Sequence, residues 1–374
     1  MSVCEEYREF TDICEKFVSR EIEPRALEAD LNPASSWVEE VWMHSVKIGL
    51  PGLLIPEGAG GMGESVLCAA VMLDRISAGC PGVASLFAHH LTACHLLARS
   101  SSSVATRFIP LFAPAGGDAP AMITVIFPLH EGDDGPRIVP QGSGSVLRGK
   151  TGLTGNAALA GHFCLFVREE DGGVTGLVID RNDAEISLGR DACLPGLKVN
   201  TFAPLIFDDL EIRPSSLLGE RGSCSGLMED ARDAFMVFVA AMAAGAAERA
   251  LTMARAYAEE RYQSGRIIIH HQEIQRMLGC MEMKLHVAAA AYRQARQDGH
   301  RDGLFAKVYC TDAALETVID AIQIHGGYGY MHEYGLEKLM RDCKTLQLLG
   351  GSNPALLIDK VSSSIGNGNS RGET

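Results

Sequence analysis

The chain has 374 residues, 47% of them apolar, so it can bury a sizeable core and build two or three packed units. Thirty-three basic against 47 acidic residues leave a net charge of −14, which argues against a nucleic-acid or anionic-membrane surface. The eleven cysteines are scattered without a CxxC pair and read as reduced thiols, and the N-terminus MSVCEEYREF has no apolar signal core. Together these point to a cytoplasmic protein. Along the chain, residues 1–115 read as helical: Phe17 and Ile22 share an apolar face, and Pro24 marks a break. IPEGAGGMGES (55–65) packs four glycines into six positions and predicts a tight loop, after which 67–76 and 83–98 resume as buried helices. His89, His90, Cys94 and His95 lie in the second of these, and that run reads as helix packing with a polar edge, not as a metal site.

Residues 116–220 change to short β-rich runs at 122–127, 162–169, 175–180 and 203–212, separated by Gly, Asp and Pro clusters. Gly142, Gly144 and Gly149 read as turns between the first two. Strands with no helices between them predict an antiparallel sheet or small barrel and argue against a doubly wound nucleotide fold. Helical patterning returns over 221–365, dense in Ala and Leu at 234–258, 271–297 and 304–324, before a polar tail at 366–374 that is expected to fray. The apolar run 234–247 is too short to span a bilayer and reads as a buried helix that a monomer covers only in part, which favours an oligomer. The expected class is α+β: a helical N-terminal domain, an antiparallel β domain and a C-terminal four-helix bundle.

Several motifs carry a resemblance. The segment 321–353 holds Gln323, Gly326, Gly327, Gly329, Tyr330, Glu333, Tyr334, Arg341 and Asp342, and resembles the C-terminal signature of the acyl-CoA dehydrogenase family. GLPGLLIPEGAGGMG, ending at Gly63, is similar to the family's Gly-rich entry to the pocket. Arg148–Thr154, Phe207–Glu220 and Arg261–Gln272 are similar to further family segments. The resemblance implies FAD as cofactor and an acyl-CoA or other acyl thioester as ligand. It also implies a homodimer, homotetramer or hetero-oligomer, and an electron-transferring flavoprotein as acceptor. It places Thr154 against the reactive edge of the flavin ring. Arg261 and Gln272 correspond to groups holding the dinucleotide, where a guanidinium forks onto a pyrophosphate. Gln323, Gly326 and Gly327 correspond to the segment that reaches the adenosine end across a dimer contact, and Ser352 keeps a hydroxyl where threonine is usual.

The departures are as informative. Gly350-Gly351-Ser352 stands where the family writes Glu-Gly-Thr, so Gly350 occupies the position of the base that removes the substrate α-proton. The alternative glutamate position on the preceding helix aligns with Phe235. Asp233 is the nearest substitute carboxylate, but two helical residues turn its side chain by more than half a turn. Gly152 replaces a tryptophan, Ile126-Phe127-Pro128 replaces Thr-Glu-Pro, and LHEGDDG (129–135) has lost the Gly-Ser-Asp ending. Ser264 replaces a phenylalanine, and Pro354 stands at the place of a polar flavin partner. Three readings follow: a flavoenzyme of altered chemistry, a non-catalytic subunit of a heteromeric complex, or a flavin-free binding protein. Sulfinopropionyl-CoA desulfinases, relatives that eliminate a leaving group from a CoA thioester, also carry glycine at the base position.

Overall fold

The computed structural model describes residues 7–33, 36–113, 121–128, 135–296 and 301–369. The loop residues 129–134 of LHEGDDG, the expected domain boundary at 115/116 and residues 370–374 of the tail lie outside them. The first region contains α1 (Arg8–Phe17), α2 (Ala26–Leu31), α3 (Trp37–Val46), α4 (Val66–Gly79), α5 (Pro81–Arg99) and α6 (Ser103–Phe108). Between α1 and α2 the helix loosens into a π turn and then a 3₁₀ turn carrying Pro24, the expected break. Pro81 opens α5 at its first turn, where a missing N–H costs nothing, and every residue from Pro81 to Leu97 is buried.

The middle region has β1 (Ile123–Ile126), β2 (Arg137–Gln141), β3 (Gly144–Lys150), β4 (Thr154–Gly155), β5 (His162–Arg168), β6 (Val174–Asp180), β7 (Ile186–Leu188), β8 (Phe202–Ala203) and β9 (Leu205–Glu211). They form a three-stranded sheet β1-β5-β6, a four-stranded sheet β2-β3-β9-β7 and the short pair β4-β8. All pairings are antiparallel except β1 with β5, which is parallel. The turn-rich stretch is itself a hairpin, β2 to β3, closed at Gly142 with φ +60°. The three-stranded sheet is buried on both faces. Phe163, Leu165 and Leu177 pack against Leu147, Leu205 and Phe207 of the other sheet. Cys164, Phe166 and Val178 pack against Ala93, Leu96 and Leu97 of α5. Its strands therefore read as continuous apolar runs without alternation.

The third region holds α7 (Ser225–Glu260), a hairpin β10 (Tyr262–Gln263) and β11 (Arg266–Ile267), then α8 (Gln272–Gln294), α9 (Gly303–His325), α10 (Leu336–Leu346) and α11 (Asn353–Asn369). Residues 366–369 thus continue a helix. At 36 residues, α7 is about 54 Å long. It is the one helix among the described residues long and apolar enough to cross a membrane, and 83% of its apolar window is buried inside the protein. Contrary to the expectation for 234–247, this chain alone covers that run. Ala234, Val237, Val239, Ala240 and Ala243 are fully buried in one core with residues of α4, α5 and α9. Exposed apolar side chains lie elsewhere, among them Met283 and Val287 on α8, Phe305 and Ile319 on α9, and Ile358 and Val361 on α11.

Small residues set the approach of α4 to α7. A Cβ on Gly245 would overlap the backbone oxygen of Asp74. Gly→Ala inside a helix ordinarily gains about 1 kcal/mol of helix propensity. At Gly245 the clash with rigid backbone reverses the sign, and Gly245→Ala is expected to lose about 2 kcal/mol net, read as a lower urea midpoint at unchanged slope.

Candidate functional site

A cavity of about 870 Å³ opens where the sheet domain meets α5, α7 and the turn after α10. Its wall includes Gly152, Leu153, Thr154 and Gly155 from the sheet side, His89 from α5, Arg232 and Phe235 from α7, and Leu348–Gly351 from the turn. Thr154 is buried, with its Oγ1 3.2 Å from Thr151 Oγ1, and Thr151 accepts the Leu205 N–H at 2.9 Å. This small network fixes the hydroxyl of Thr154 at the cavity wall. Ile126, Phe127 and Pro128 also line the cavity.

Gly350 lies in the wall with φ +75° and Gly351 follows at +120°, conformations that disfavour side chains. A Cβ at Gly350 would sit 3.1 Å from Met236 Cε and 3.2 Å from Phe235 Cε1. The turn is anchored from below by Lys307, whose Nζ donates to Gln347 O at 2.8 Å, Gly351 O at 2.7 Å and Asn353 Oδ1 at 2.7 Å. Lys307 is fully buried, and that burial pulls its pKa down to about 7. This anchor went unread in the sequence.

The cavity lining also carries Arg168 from β5, Arg232 from α7 and Asp359 from α11. Burial lowers the pKa of Arg232, while the charge of Asp359 acts to raise it. None of these three was singled out in the sequence, because they come from three distant segments.

A second cavity, about 730 Å³, is lined by Arg261, Gln323, Gly326, Gly327, His271 and Tyr328 among others. The Arg261 guanidinium lies over the Tyr328 ring at 5.8 Å and has no other side-chain partner among the described residues. A Cβ at Gly326 or Gly327 would meet open space. The two cavities share no lining residue.

The sequence-selected residues therefore divide. Thr154 and Gly350 meet in the first cavity, and Arg261, Gln323, Gly326 and Gly327 in the second. Gln272 is exposed at the start of α8, between two residues that line the second cavity but outside its lining. Ser352 is half-buried outside the lining of the first, and its carbonyl accepts the Leu356 N–H. Asp233 is outside both. Its carboxylate takes the Gly303 N–H at 3.0 Å and Arg296 Nη1 at 2.9 Å, tying α7 to α9. The Gly-rich loop 55–63 lines neither cavity; it folds on itself, with Gly63 N donating to Ile55 O at 2.8 Å.

The histidine run of α5 points in three directions. His95 Nε2 meets Asp230 at 2.8 Å. His90 Nε2 lies 3.0 Å from Pro51 O, and its Nδ1 accepts the Ile123 N–H at 3.2 Å. A second ring proton would face that N–H, so His90 is held neutral, and burial pushes its pKa down to about 4. The folded state then binds fewer protons than the unfolded chain, whose ordinary histidine pKa is 6.5. Stability is accordingly expected to fall with pH across about 6.5 to 4, by on the order of 3 kcal/mol at most from this residue. Urea midpoints across that window check this: His90→Gln should flatten the acid limb relative to the parent protein.

Comparison with known proteins shows the family. Residues 4–114 match the model of the acyl-CoA dehydrogenase N-terminal domain, and residues 236–360 that of the C-terminal domain. A cyclohex-1-ene-1-carbonyl-CoA dehydrogenase of Syntrophus aciditrophicus is 27% identical over 367 residues, covering 93% of this chain and 87% of the relative. The acyl-CoA dehydrogenase of Bacillus subtilis is 29% identical over 324 residues, covering 82% and 84%. Among solved structures, the butyryl-CoA dehydrogenase of Megasphaera elsdenii superposes with a TM-score of 0.89 at 21% identity, over 98% of this chain and 99% of that one.

Proposed function

Since the chain belongs to the acyl-CoA dehydrogenase family, we propose that it is an FAD-dependent oxidoreductase of acyl thioesters that works without the family's carboxylate base. The observation that carries this reading is the first cavity. It keeps Thr154 and the Gly350–Gly351 backbone in one wall, yet presents glycine at 350 and phenylalanine at 235, the two positions from which a glutamate would serve.

The residues present fit a flavin dinucleotide in two pieces. Thr154 and the open surface at Gly152 suit the ring end. In the second cavity Arg261, over the Tyr328 ring, suits a pyrophosphate, and the open space over Gly326 and Gly327 lets backbone approach a phosphate or ribose. Two cavities with no shared residue support a reading in which each flavin is completed by a second copy or a related subunit. The exposed apolar residues of α8, α9 and α11 offer surface for such a contact. When bound, FAD supplies a hydride acceptor. The chain's own residues bind the thioester, keep water out through Phe127, Phe202 and Phe235, and present Arg168 and Arg232 to an anionic part of a CoA or carrier-protein thioester.

The test is anaerobic addition of linear, branched and dicarboxylic acyl-CoA thioesters to the flavin-loaded protein, followed by its visible spectrum. Bleaching, or a ligand-induced shift of the flavin band, is the expected result. An unchanged spectrum across the panel would instead favour a non-catalytic subunit.

A further inference from the structure

We propose that His89 is the proton acceptor of the first cavity, its Nε2 lone pair taking the α-proton of the bound acyl thioester in place of a carboxylate. This rests on the acyl-thioester reading above and names the residue that performs its first step.

His89 sits in mid-α5, 5% exposed, and lines the cavity. Its Nδ1 lies 2.7 Å from Ser85 O. A carbonyl only accepts, so Nδ1 carries the hydrogen and Nε2 carries the lone pair. No hydrogen bond reaches Nε2 among the described residues. The ring is fixed by packing: its centroid is 4.9 Å from Phe235 and 6.1 Å from Phe202. Gly155, beside Thr154, is the residue next to the nitrogen edge. Any Cβ there would collide with Cε1 and Nε2, so only a glycine leaves room for that edge. The Phe235 ring borders His89, and it also borders the space a side chain at Gly350 would fill.

The other polar groups of the wall are poorer acceptors. Arg168, Arg232 and Lys344 are cations, and Lys344 Nζ already donates to Gln347 Oε1 at 2.8 Å. Asp359 is exposed, and its charge acts on the Arg232 cation. Thr154, Thr345 and Ser362 offer hydroxyls, which are not bases. Burial lowers the pKa of His89 to about 4, so its imidazole is uncharged near neutral pH, and an imidazolium there requires the opposite charge of an enolate beside it. In the step, the Cα–H bond breaks and its electron pair stays on Cα, delocalised into the thioester carbonyl. An N–H bond forms at Nε2, leaving an imidazolium beside the enolate. No further reactant is needed for this half of the chemistry.

The test is exchange of the α-hydrogens of a CoA thioester panel (acetyl, butyryl, isobutyryl and glutaryl) with D₂O on the flavin-loaded protein, with binding measured in parallel. His89→Asn keeps an amide donor for Ser85 O but has no basic nitrogen. It is expected to slow exchange about 100-fold or more, with thioester affinity and flavin content unchanged. Exchange at the parental rate in His89→Asn would overturn the proposal while leaving the acyl-thioester reading standing, as would a parent protein that binds a thioester without exchanging it. A parent that binds none of the panel would overturn both. Should His89→Asn fail to fold, histidine ¹⁵N NMR of the parent decides. Acetoacetyl-CoA, which enolises readily, should convert His89 from the Nδ1–H tautomer to the imidazolium, and a His89 that stays neutral with ligand bound would overturn the proposal.

Discussion

Asp342→Ala is expected to destabilise the protein by about 3–5 kcal/mol, read from urea unfolding. Asp342 is fully buried on α10, 2.6 Å from the Lys338 ammonium one turn earlier, and its other oxygen accepts the Leu197 N–H at 2.6 Å. Burial works to lower the pKa of Lys338, but the charge and hydrogen bond of Asp342, together with Cys80 and Asp30, hold Lys338 above the usual lysine value. Removing the carboxylate strands a buried cation. It also frees Leu197, which sits at φ +56° where the chain presses so closely on α10 that a Cβ at Gly196 would overlap Arg341 O. The double variant Lys338→Met/Asp342→Leu removes both charges and should recover much of the loss. A double variant as unstable as Asp342→Ala would show that the Leu197 contact, not the ion pair, dominates. The motif residues Arg341 and Asp342 are thus structural in this chain: Arg341 forks onto Asp30 and Glu337 and donates to Pro195 O at 2.6 Å.

Lys307→Met is the second large effect. The methionine fills most of the lysine's volume but leaves the acceptors of Gln347, Gly351 and Asn353 without their shared donor. At about 1–3 kcal/mol for a buried group left unsatisfied, a loss of at least about 3 kcal/mol is expected. The folded-state pKa near 7 against an ordinary 10.5 means the unfolded chain binds more protons between those values. Stability of the parent should therefore rise with pH through that window, and the rise should be absent in Lys307→Met. Because the acceptors belong to the turn that presents Gly350 and Gly351, the variant should also bind flavin more weakly than Gly245→Ala, whose lesion lies elsewhere. Equal flavin content in the two variants would separate Lys307 from the site.

Returning a carboxylate to position 350 is a poor way to recover the family's chemistry. A residue with a Cβ must adopt φ +75° there, at a cost of about 1–2 kcal/mol, while pressing on Phe235 and Met236 at 3.1–3.2 Å. The glycine and the bulky pair facing it are matched.

That matching marks the limit of what the sequence could say. Motif spacing singled out Thr154, Gly350, Gln323 and Gly326, each of which lines one of the two cavities, because each belongs to a short contiguous segment. His89 was read as packing, since a histidine on an apolar helix gives no sign of which ring nitrogen is engaged. Only the approach of Gly155 and Phe235, 66 and 146 residues away, defines the surroundings of its ring. Asp233 lost its candidacy to Arg296 and Gly303, partners that helical geometry alone does not supply. In the sheet, apolar runs revealed β1, β5 and β6 but not that β1 and β5 are parallel, because strand direction leaves no trace in composition. The covering of 234–247 was misjudged for a related reason: α4, α5 and α9 bury that run, and α4 and α5 lie more than 130 residues before it in the chain.

We infer that a flavin dinucleotide is held at a cavity that lacks the family's carboxylate base. Flavin released per protomer on denaturing the purified protein, together with the visible spectrum before release, tests it most directly. FAD close to one per protomer, or reconstitution to that level, is the expected result. A colourless protein that takes up no FAD, even when supplied in excess, would contradict it.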